Sequence, residues 1–535
     1  NSILLDGSDN SSRNSGGALG FQAQAVKPSV DSVGEFKVVT NNTSAEYGYR
    51  MGAKVIVSTR SGSNDLHGTL FEFLRNDKLD ATNFFANRSG AEKPTYRLNQ
   101  FGGTLGGPIL KNKMFFFGSV QATRIRLGRS FVSTVPSPSV QDGNFNNQPN
   151  PTREIFDPLT YDSATRRRMA FPNFTIPKSR FDPVSAAVLP IYPRPNIPGR
   201  ENLPNNFFYS PSNTNDFDQY DMRWDYNVTD RHRTFIRYSH RNEFKFENGP
   251  MPPPAVGGTG QTVDLPGHNL SASFNSTFGA SVFNEFRLGY TYFPTVFDIP
   301  ISENLQSQFG IRGAPGDTLN DGRDNGFALF IPGDGFNQLG PRAFWPNFND
   351  LTNWQIGDNL TMVKGSHTLK VGAEWRRSRM PRDPSRFRRG QFNFNGDYTT
   401  ELPFDAASRA RTGNGMADMI LGWAQNETWG YPNGETTVVP YLGAFVQDDW
   451  KITSRLTMNL GLRYELFFPP LFPNPDQQTV SRFISGVNGR PPDPREFLAP
   501  NQGGFGEAEY LPLFVRPVDG SDCGCVLDKN NCLLY

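Results

Sequence analysis

Residues 456–466 read LTMNLGLRYEL. Apolar side chains occupy every second position of this stretch, at Leu456, Met458, Leu460, Leu462, Tyr464 and Leu466. Because successive side chains of a β-strand point to opposite sides, the stretch predicts a strand with one apolar and one polar face. Its length also matches the ~9–11 residues that a tilted strand needs to cross a membrane.

The same alternation recurs along the chain, in residues 219–228, 269–278, 285–292 and 368–376. In the first of these segments, Tyr220, Met222 and Trp224 alternate with polar residues. A soluble β-sandwich alternates in the same way, so a single segment leaves both folds open. Strand length favours the membrane, since strands of soluble sheets usually have only ~5–6 residues.

This pattern predicts about thirteen strands. They lie near residues 66–75, 98–108, 113–127, 216–228, 232–245, 267–278, 282–295, 351–362, 366–379, 390–399, 424–431, 439–451 and 455–468. The connections alternate between short turns and long loops, as in outer-membrane barrels, whose turns are periplasmic and whose loops are extracellular. To keep this alternation, Met416–Gly422 is predicted to be a short periplasmic connection before the strand at 424–431.

Composition is consistent with an all-β protein. The chain has 535 residues, of which 36% are hydrophobic and 13% aromatic, and its net charge is +1. No apolar run approaches the ~18–20 residues of a membrane-spanning helix, and the near-zero charge gives no indication of a nucleic-acid partner. The three cysteines, Cys523, Cys525 and Cys532, are confined to the last stretch of sequence, so no disulfide framework is predicted.

Five stretches resemble Oar-like TonB-dependent receptors of the bacterial outer membrane. They are LLDGSDN (4–10), PSVDSVGEFKVVTNNTSAEYG (28–48), GAKVIVSTRSGSNDLHGTLFEFLRNDKLDATNFF (52–85), NQFGGTLGGPILKNKMFFFGS (99–119) and YLGAFVQDDWKITSRLTMNLGLRYE (441–465). Residues 1–60 contain only short predicted strands, which suits a small globular element rather than membrane-crossing strands.

The resemblance implies a fold in two parts. Residues 1–64 are expected to be the C-terminal part of a plug domain. Residues 65–535 are expected to be the N-terminal part of a transmembrane antiparallel β-barrel, with long extracellular loops at about 128–215 and 296–350. About 13 strands of an expected 22 would then lie in this chain. The first half of the plug, the remaining strands and the TonB box are expected outside it.

The resemblance also implies a function. It predicts TonB-dependent import of a substrate across the outer membrane, without enzymatic activity or a cofactor. The expected partners are TonB, the outer-membrane lipid with its lipopolysaccharide, and a transported ligand that the sequence does not identify. Two alternatives remain open at this stage: an outer-membrane adhesion or structural barrel without transport, and a secreted carbohydrate-binding β-sandwich.

Other motifs give little support to a catalytic or metal site. Gly102–Gly107 is glycine-rich but lies within a predicted strand, so it does not indicate a phosphate-binding loop. Two groups of Asp and Asn have calcium-ligand chemistry, although Asx turns explain them equally well. They are Asp6, Asp9 and Asn10, and Asp321, Asp324 and Asn325. The five histidines show no zinc-ligand spacing.

One charge cluster is a candidate binding site. Seven arginines fall between residues 376 and 389, on a predicted extracellular loop: Arg376, Arg377, Arg379, Arg382, Arg386, Arg388 and Arg389. Guanidinium groups suit phosphate and carboxylate, so the cluster predicts contact with lipopolysaccharide or an anionic ligand. A solvated loop without a partner is the alternative interpretation.

Overall fold

A computed structural model describes residues 2–11, 24–40, 44–50, 52–82, 84, 88, 93–146, 154–311, 325–383, 387–403, 405–430 and 435–471. The strands in this part of the chain are β1 (Ser2–Leu5), β2 (Ser8–Asp9), β3 (Val33–Val39), β4 (Lys54–Thr59), β5 (His67–Asn76), β6 (Tyr96–Leu110), β7 (Met114–Gly128), β8 (Phe131–Ser133), β9 (Phe207–Tyr209), β10 (Ser212–Asn227), β11 (His232–Glu247), β12 (Gln261–Asp264), β13 (Gly267–Phe278), β14 (Val282–Asp298), β15 (Leu329–Pro332), β16 (Asn347–Lys364), β17 (His367–Asp383), β18 (Gln391–Phe394), β19 (Asn426–Thr428), β20 (Glu435–Lys451) and β21 (Thr457–Phe467). The α-helices are α1 (Pro138–Gln141), α2 (Pro183–Val188), α3 (Ala406–Arg409) and α4 (Gly415–Leu421).

A single large antiparallel sheet contains most of the long strands. Its order is β21-β20-β17-β16-β14-β12-β11-β10-β7-β6-β5, and β13 also pairs with β11 and β14. β12 and β13 pair with the same two neighbours, β11 and β14, so together they occupy one strand position. In the described part of the chain the sheet therefore has eleven strand positions. All its neighbouring strands pair antiparallel and, apart from β12 and β13, are consecutive in this sheet along the chain.

The predicted strands at 390–399 and 424–431 do not belong to this sheet. They contain β18 and β19, which form a separate three-stranded sheet with β15. These strands have only four and three residues, too few to cross a membrane. Within the described residues, the prediction of about thirteen barrel strands is therefore corrected to eleven, because alternation alone does not reveal which sheet a strand joins.

The large sheet is apolar on its outer face and polar on its inner face. On β10, Met222 and Trp224 are 45% and 43% exposed, whereas Gln219 and Asp221 between the apolar positions are buried. On β11, Arg237 is completely buried. A soluble sandwich buries its apolar face, so this inverted arrangement contradicts the β-sandwich alternative and is what a strand facing lipid requires.

The connections obey the predicted alternation. Short turns join β6 to β7, β10 to β11, β13 to β14, β16 to β17 and β20 to β21. Gly279 and Gly365 in two of these turns have φ of 65° and 59°, a conformation that glycine adopts without strain. Long loops leave the opposite end. Because β17 pairs directly with β20, the described residues between these two strands belong to one long connection. Met416–Gly422, predicted as a periplasmic turn, instead contains α4 on the long-loop side.

The long loops fold together into a cap, which we define as the described residues of 129–211, 248–260, 299–346 and 384–434. Its loops share backbone hydrogen bonds: Asp182 N donates to Ile420 O at 2.8 Å, and Asn337 N donates to Thr134 O at 2.8 Å. Trp345 is buried and stacks on Phe297 of β14. Within the described residues, no helix is long and apolar enough to span a membrane.

A small four-stranded sheet lies against the inner face of the large one. Its order is β2-β1-β4-β3, in which β1 and β4 run parallel. Val55, Ile56 and Val57 of β4 pair with β1 on one side and β3 on the other, so this continuous apolar run is a central strand of the small sheet. The side chains that fasten this small sheet to the large one form the site described next.

Candidate functional site

The turn between β1 and β2 is held by two arginines of the large sheet. Asp6 and Gly7 form this turn with φ of 47° and 79°. The Asp6 carboxylate lies 3.2 Å from Arg223 Nη1 and 3.1 Å from Arg237 Nε. It also accepts hydrogen bonds from the backbone N and the Oγ1 of Thr59, at 2.9 and 2.8 Å. A buried carboxylate shared by two cations and two neutral donors has its charge and its lone pairs satisfied.

Backbone atoms of the same turn are also bound by the large sheet. Arg237 Nη2 donates to Leu5 O at 2.9 Å, and Ser271 Oγ donates to Asp6 O at 2.7 Å. Gln355 Nε2 donates to Gly7 O at 3.2 Å. These donors come from β11, β13 and β16, so one hairpin turn contacts strands across a wide part of the sheet. We call this turn and its partners the hairpin anchor.

Asp9 extends the hairpin anchor to β17. Its Oδ2 lies 2.9 Å from Arg376 Nη1, and both side chains are almost fully buried. Arg376 also pairs with Glu374 at 2.6 Å. Gln355 Oε1 accepts from Asp9 N at 2.9 Å. Because an ion removed from water costs several kcal/mol unless it is paired, this buried charge pair fixes the position of β2 on the sheet.

A second attachment involves residues 44–49, which we call the turn anchor. Ala45 N donates to Gln447 Oε1 at 2.8 Å, and Arg463 Nη1 donates to the carbonyl oxygens of Ala45 and Glu46 at 3.2 Å. The Glu46 carboxylate accepts from Asn359 Nδ2 at 3.0 Å. The turn anchor therefore binds β16, which the hairpin anchor also contacts, and in addition β20 and β21.

Close packing accompanies these polar contacts. The Tyr49 ring lies 4.8 Å from the Tyr441 ring, edge to face, and the Arg376 guanidinium lies 4.5 Å from the Tyr49 centroid. Gly48 faces β21 so closely that a Cβ there would lie 1.8 Å from Arg463 Nε. Any larger residue at this position would displace the Arg463 and Glu465 side chains, so the glycine in the sequence AEYG preserves this contact.

A small cavity separates the two anchors. Its volume is about 40 Å³. Charged side chains from both sheets line it: Glu46, Lys54, Arg287, Glu374, Arg376 and Arg463. A polar cavity of this size holds roughly three water molecules. The desolvation of the Lys54 ammonium and the neighbouring arginines lower the pKa of this lysine. The cavity thus has room for water and is lined by charged side chains.

The seven predicted arginines do not form one exposed surface. Arg376, Arg377, Arg379 and Arg382 lie on β17 and not on a loop. Arg376 points inward to Asp9, whereas Arg377 and Arg379 are exposed on the outer face. Arg388 and Arg389 are buried in the cap, where Arg389 donates to the Arg342 carbonyl at 2.9 Å. Arg386 lies outside the described residues. Alternation along a strand thus divides a cluster that is dense in sequence.

The calcium interpretation of Asp6 and Asp9 is not supported. Their carboxylates are occupied by arginines and, for Asp6, by Thr59. Asp321 and Asp324 lie outside the described residues. In the described part of the chain, no group of three or more His, Cys, Asp or Glu side chains is arranged to hold a metal ion.

Sequence reasoning missed the partners in both anchors. Arg223 is one of the polar residues that alternate with Tyr220, Met222 and Trp224, but this alternation does not show that Asp6, 217 residues away, is its partner. The available signal was an arginine in the middle of a strand long enough to cross the membrane. Charges at such a depth need a partner on the inner face, so they mark contacts with something inside.

Residues 58–507 match the family model described as outer membrane beta barrel domain. The chain belongs to this family. It therefore lies in the bacterial outer membrane, and the large sheet is part of the wall of a β-barrel. Its inner face, which carries both anchors, lines the lumen, and its outer face contacts lipid. The long loops and the short turns lie at opposite ends of this wall.

The matches with individual proteins cover only part of the length of those proteins. Over 101 residues the chain is 34% identical to the TonB-dependent transporter Oar of Myxococcus xanthus, an alignment that covers 18% of this chain and 10% of Oar. The outer membrane transporter YddB from Escherichia coli matches with a TM-score of 0.49 and 10% identity, covering 87% of this chain and 48% of YddB. A mutant ferric enterobactin receptor, PfeA, from Pseudomonas aeruginosa matches with a TM-score of 0.43 and 13% identity, covering 88% and 50%. The chain thus spans about half the length of these two solved structures.

Proposed function

We propose that this chain is part of a TonB-dependent transporter that imports a substrate across the outer membrane. In this proposal residues 1–64 are the C-terminal part of the plug, and residues 65–535 are the N-terminal part of the barrel. The observation that carries the proposal is the small sheet fastened by buried ion pairs to the lumen wall. A sheet in this position obstructs the lumen, so any passage requires it to move.

The two anchors differ in how easily they separate. The hairpin anchor holds Asp6 between arginines with little exposed surface, and breaking a buried pair leaves an uncompensated charge. The turn anchor borders the polar cavity, where water is available to replace lost partners. In our proposal, a pulling force from TonB separates residues 44–54 from the wall before it separates the hairpin. This opens a passage along β16, β17, β20 and β21.

The cap would contact the substrate first. Its loops lie at the end of the barrel opposite the short turns, which is the extracellular end in this class of protein. Loops on a rigid scaffold commonly carry binding residues. We therefore assign substrate capture to the cap and the upper lumen, closure to the small sheet, and no catalytic step to any residue.

TonB dependence is tested by labelling the plug in living cells. The full-length receptor would carry Glu46→Cys, with Cys523, Cys525 and Cys532 changed to Ser. Glu46 is only 20% exposed where it meets Arg287. With TonB and the proton gradient present, we expect a maleimide to label position 46 faster than in cells that lack TonB. Asp230→Cys, in an exposed short turn, serves as the matched control and should be labelled equally in both.

The same experiment separates transport from the adhesion alternative. An adhesin or purely structural barrel has no energised plug movement, so its position 46 would be labelled at the same slow rate with and without TonB. Equal rates at position 46, with normal labelling at position 230, would exclude our proposal.

We further propose that Arg377 and Arg379 contact lipopolysaccharide. Both are exposed on the outer face of β17, and Trp375, two residues nearer the short turns, is also exposed there. An aromatic residue at the lipid interface with arginines beyond it places cations at the level of lipid phosphates. The double variant Arg377→Gln, Arg379→Gln should copurify with less lipopolysaccharide. Arg455→Gln, exposed in a short turn at the other end, should not change it. Unchanged copurification of the double variant would refute the assignment.

A further inference from the structure

Three cations gather in the lumen on the long-loop side of the small sheet. Arg241 and Lys245 lie on the inner face of β11, and Lys27 lies in the segment between β2 and β3. Arg241 is four residues beyond Arg237, the residue that binds Asp6. Along the strand, this places Arg241 roughly 13 Å closer to the loop at 248–260. We call Lys27, Arg241 and Lys245 the cation cluster. It lies above the hairpin anchor, where a molecule arriving through the cap meets the small sheet.

Arg241 is the fixed member of the cation cluster. Its side chain is fully buried, and Nη1 donates to Gln24 O at 3.2 Å. Its guanidinium also lies 5.3 Å from the centroid of the Phe217 ring. These contacts join β10 and β11 to the segment that carries Lys27. The Lys27 backbone N donates to Gln219 Oε1 at 3.3 Å, so the start of this side chain is fixed while the side chain itself is exposed.

Carboxylates balance these charges only in part. Glu243 pairs with Arg241 and also with Lys245, whose Nζ lies 3.1 Å from its Oε1. One carboxylate therefore serves two cations. Glu247, the next acid on this face, attracts Lys245 electrostatically and accepts a hydrogen bond from Gln261 Nε2 at 2.6 Å. Among the described residues, no Asp or Glu forms an ion pair with Lys27.

The positive charges of this cluster affect the pKa of Lys27. Partial desolvation, followed by repulsion from Arg241 and Lys245, lowers the pKa of this ammonium to about 8. An anion placed beside it would remove the repulsion and restore the charged form. Carboxylate, sulfate and phosphate groups have the charge and the acceptor oxygens to bind both an ammonium and a guanidinium.

We propose that the cation cluster is a receiving site for an anionic group of the transported substrate, with Lys27 as the exposed contact and Lys245 as the second. Arg241 is buried next to these two lysines and adds positive charge to the site. Its hydrogen bond to Gln24 O joins the barrel wall to the segment that carries Lys27. The site faces the lumen and not the lipid, so its ligand is a soluble anion and not a membrane headgroup. The inference rests on the proposed transport function, because it assigns the ligand to the route through the cap.

The test measures protection of Lys27 from acylation in the full-length receptor in detergent at pH 8. Citrate and inorganic phosphate are the probes, with sodium chloride at matched ionic strength as the reference. At twice its Kd, a bound anion should slow acylation of Lys27 about threefold, because a third of the sites remain free. Lys37, exposed on β3, is the internal control and should react at the same rate throughout. Lys245→Gln should weaken the protection.

Two results would overturn the inference. One is that citrate and phosphate slow Lys27 no more than Lys37. The other is that Lys245→Gln leaves the protection unchanged, since the second contact would then play no part. Neither result depends on TonB. Faster labelling of position 46 with TonB, combined with no protection of Lys27, would retain the transport proposal and reject only the anion site.

Discussion

The carboxylate of Asp6 and the guanidinium of Arg237 meet at 3.1 Å, with both side chains buried, although 231 residues separate them in the chain. The contact joins the turn of the small sheet to the middle of the barrel wall. Arg237 uses a second nitrogen to bind Leu5 O, so the same side chain fixes both the charge and the backbone of the turn. This pair is the centre of the hairpin anchor.

Asp6→Asn should loosen the hairpin anchor. The variant removes the ion pair of the buried Arg237, whereas Arg223 keeps its pair with Asp225 at 2.9 Å. Loss of one partner of a buried pair typically costs about 3–5 kcal/mol. We expect faster amide hydrogen exchange in residues 2–9 and increased sensitivity of cells to large antibiotics that a closed barrel excludes. Glu35→Gln, an exposed acid on β3, is the matched control. Unchanged exchange in residues 2–9 would show that the ion pair does not hold the small sheet.

Gly48→Ala should displace the turn anchor while leaving the hairpin anchor intact. A Cβ at this position would lie 1.8 Å from Arg463 Nε and 1.9 Å from Glu465 Oε1, so both side chains must move. Amide exchange should increase in residues 44–50 and not in residues 2–9. Gly118→Ala on β7 is the control, because a Cβ there meets nothing closer than 4.0 Å. Equal exchange in both regions would mean that the anchors do not separate independently.

The sidedness of the barrel is tested with a membrane-impermeant maleimide on intact cells. The three native cysteines are first changed to Ser. Leu203→Cys lies in the cap and is 40% exposed, so it should be labelled. Asp230→Cys lies in a short turn and should be labelled only after the outer membrane is permeabilised. Labelling of position 230 in intact cells would reverse the orientation of the barrel wall and place the cap in the periplasm.

Asp418 gives the cap a pH dependence. Burial of this carboxyl in α4 raises its pKa from 3.8 to about 7, although hydrogen bonds from Thr399 Oγ1 and Tyr398 N and the charge of Arg409 oppose the shift. Arg168 and Asp397 also lie nearby. In the unfolded cap the group loses its proton near pH 4, whereas in the folded cap it keeps the proton until about pH 7. Cap stability should therefore fall as pH rises from about 4 to about 7 and stay level above.

Amide exchange of residues 415–421, corrected for the intrinsic rate, measures this effect. Protection should be greater at pH 5 than at pH 8 in the native chain. In Asp418→Asn, which cannot ionise, the difference between the two pH values should be smaller. An equal difference in both proteins would assign the pH dependence to other groups of the cap.

Alternation predicted the barrel wall well because it is a local property. Strands such as β10, β13, β17 and β21 repeat a two-residue period, because one face of each strand meets lipid and the other meets polar groups. The polar face assigned to Gln219, Asp221 and Arg223 is the lumen face. The short turns were also predicted close to their observed positions, since they follow directly from where the period stops.

The sheet to which a strand belongs and the partners of the buried arginines depend on long-range contacts, which a local sequence pattern does not predict. The sequence FNFN at 392–395 alternates as well as a barrel strand does, yet the pairing of β18 with β15 places it in the cap. The arginines at 376 and 377 are neighbours in sequence, but one binds Asp9 and the other faces outward. Ion pairs across more than two hundred residues are decided by the three-dimensional fold, which a single sequence does not reveal.

If the chain acts as proposed, the shared interior of the cap limits how substrate preference can change. Asp182 is tied to Ile420, Asn337 to Thr134, and Trp345 to the barrel wall through Gln261. A loop transplanted alone from a relative would leave these partners facing the wrong surface. New specificity is therefore more accessible through exchange of the whole set of loops at once, with the strands retained as a common frame. Recombination between related genes would favour breakpoints in the strands over breakpoints within the cap.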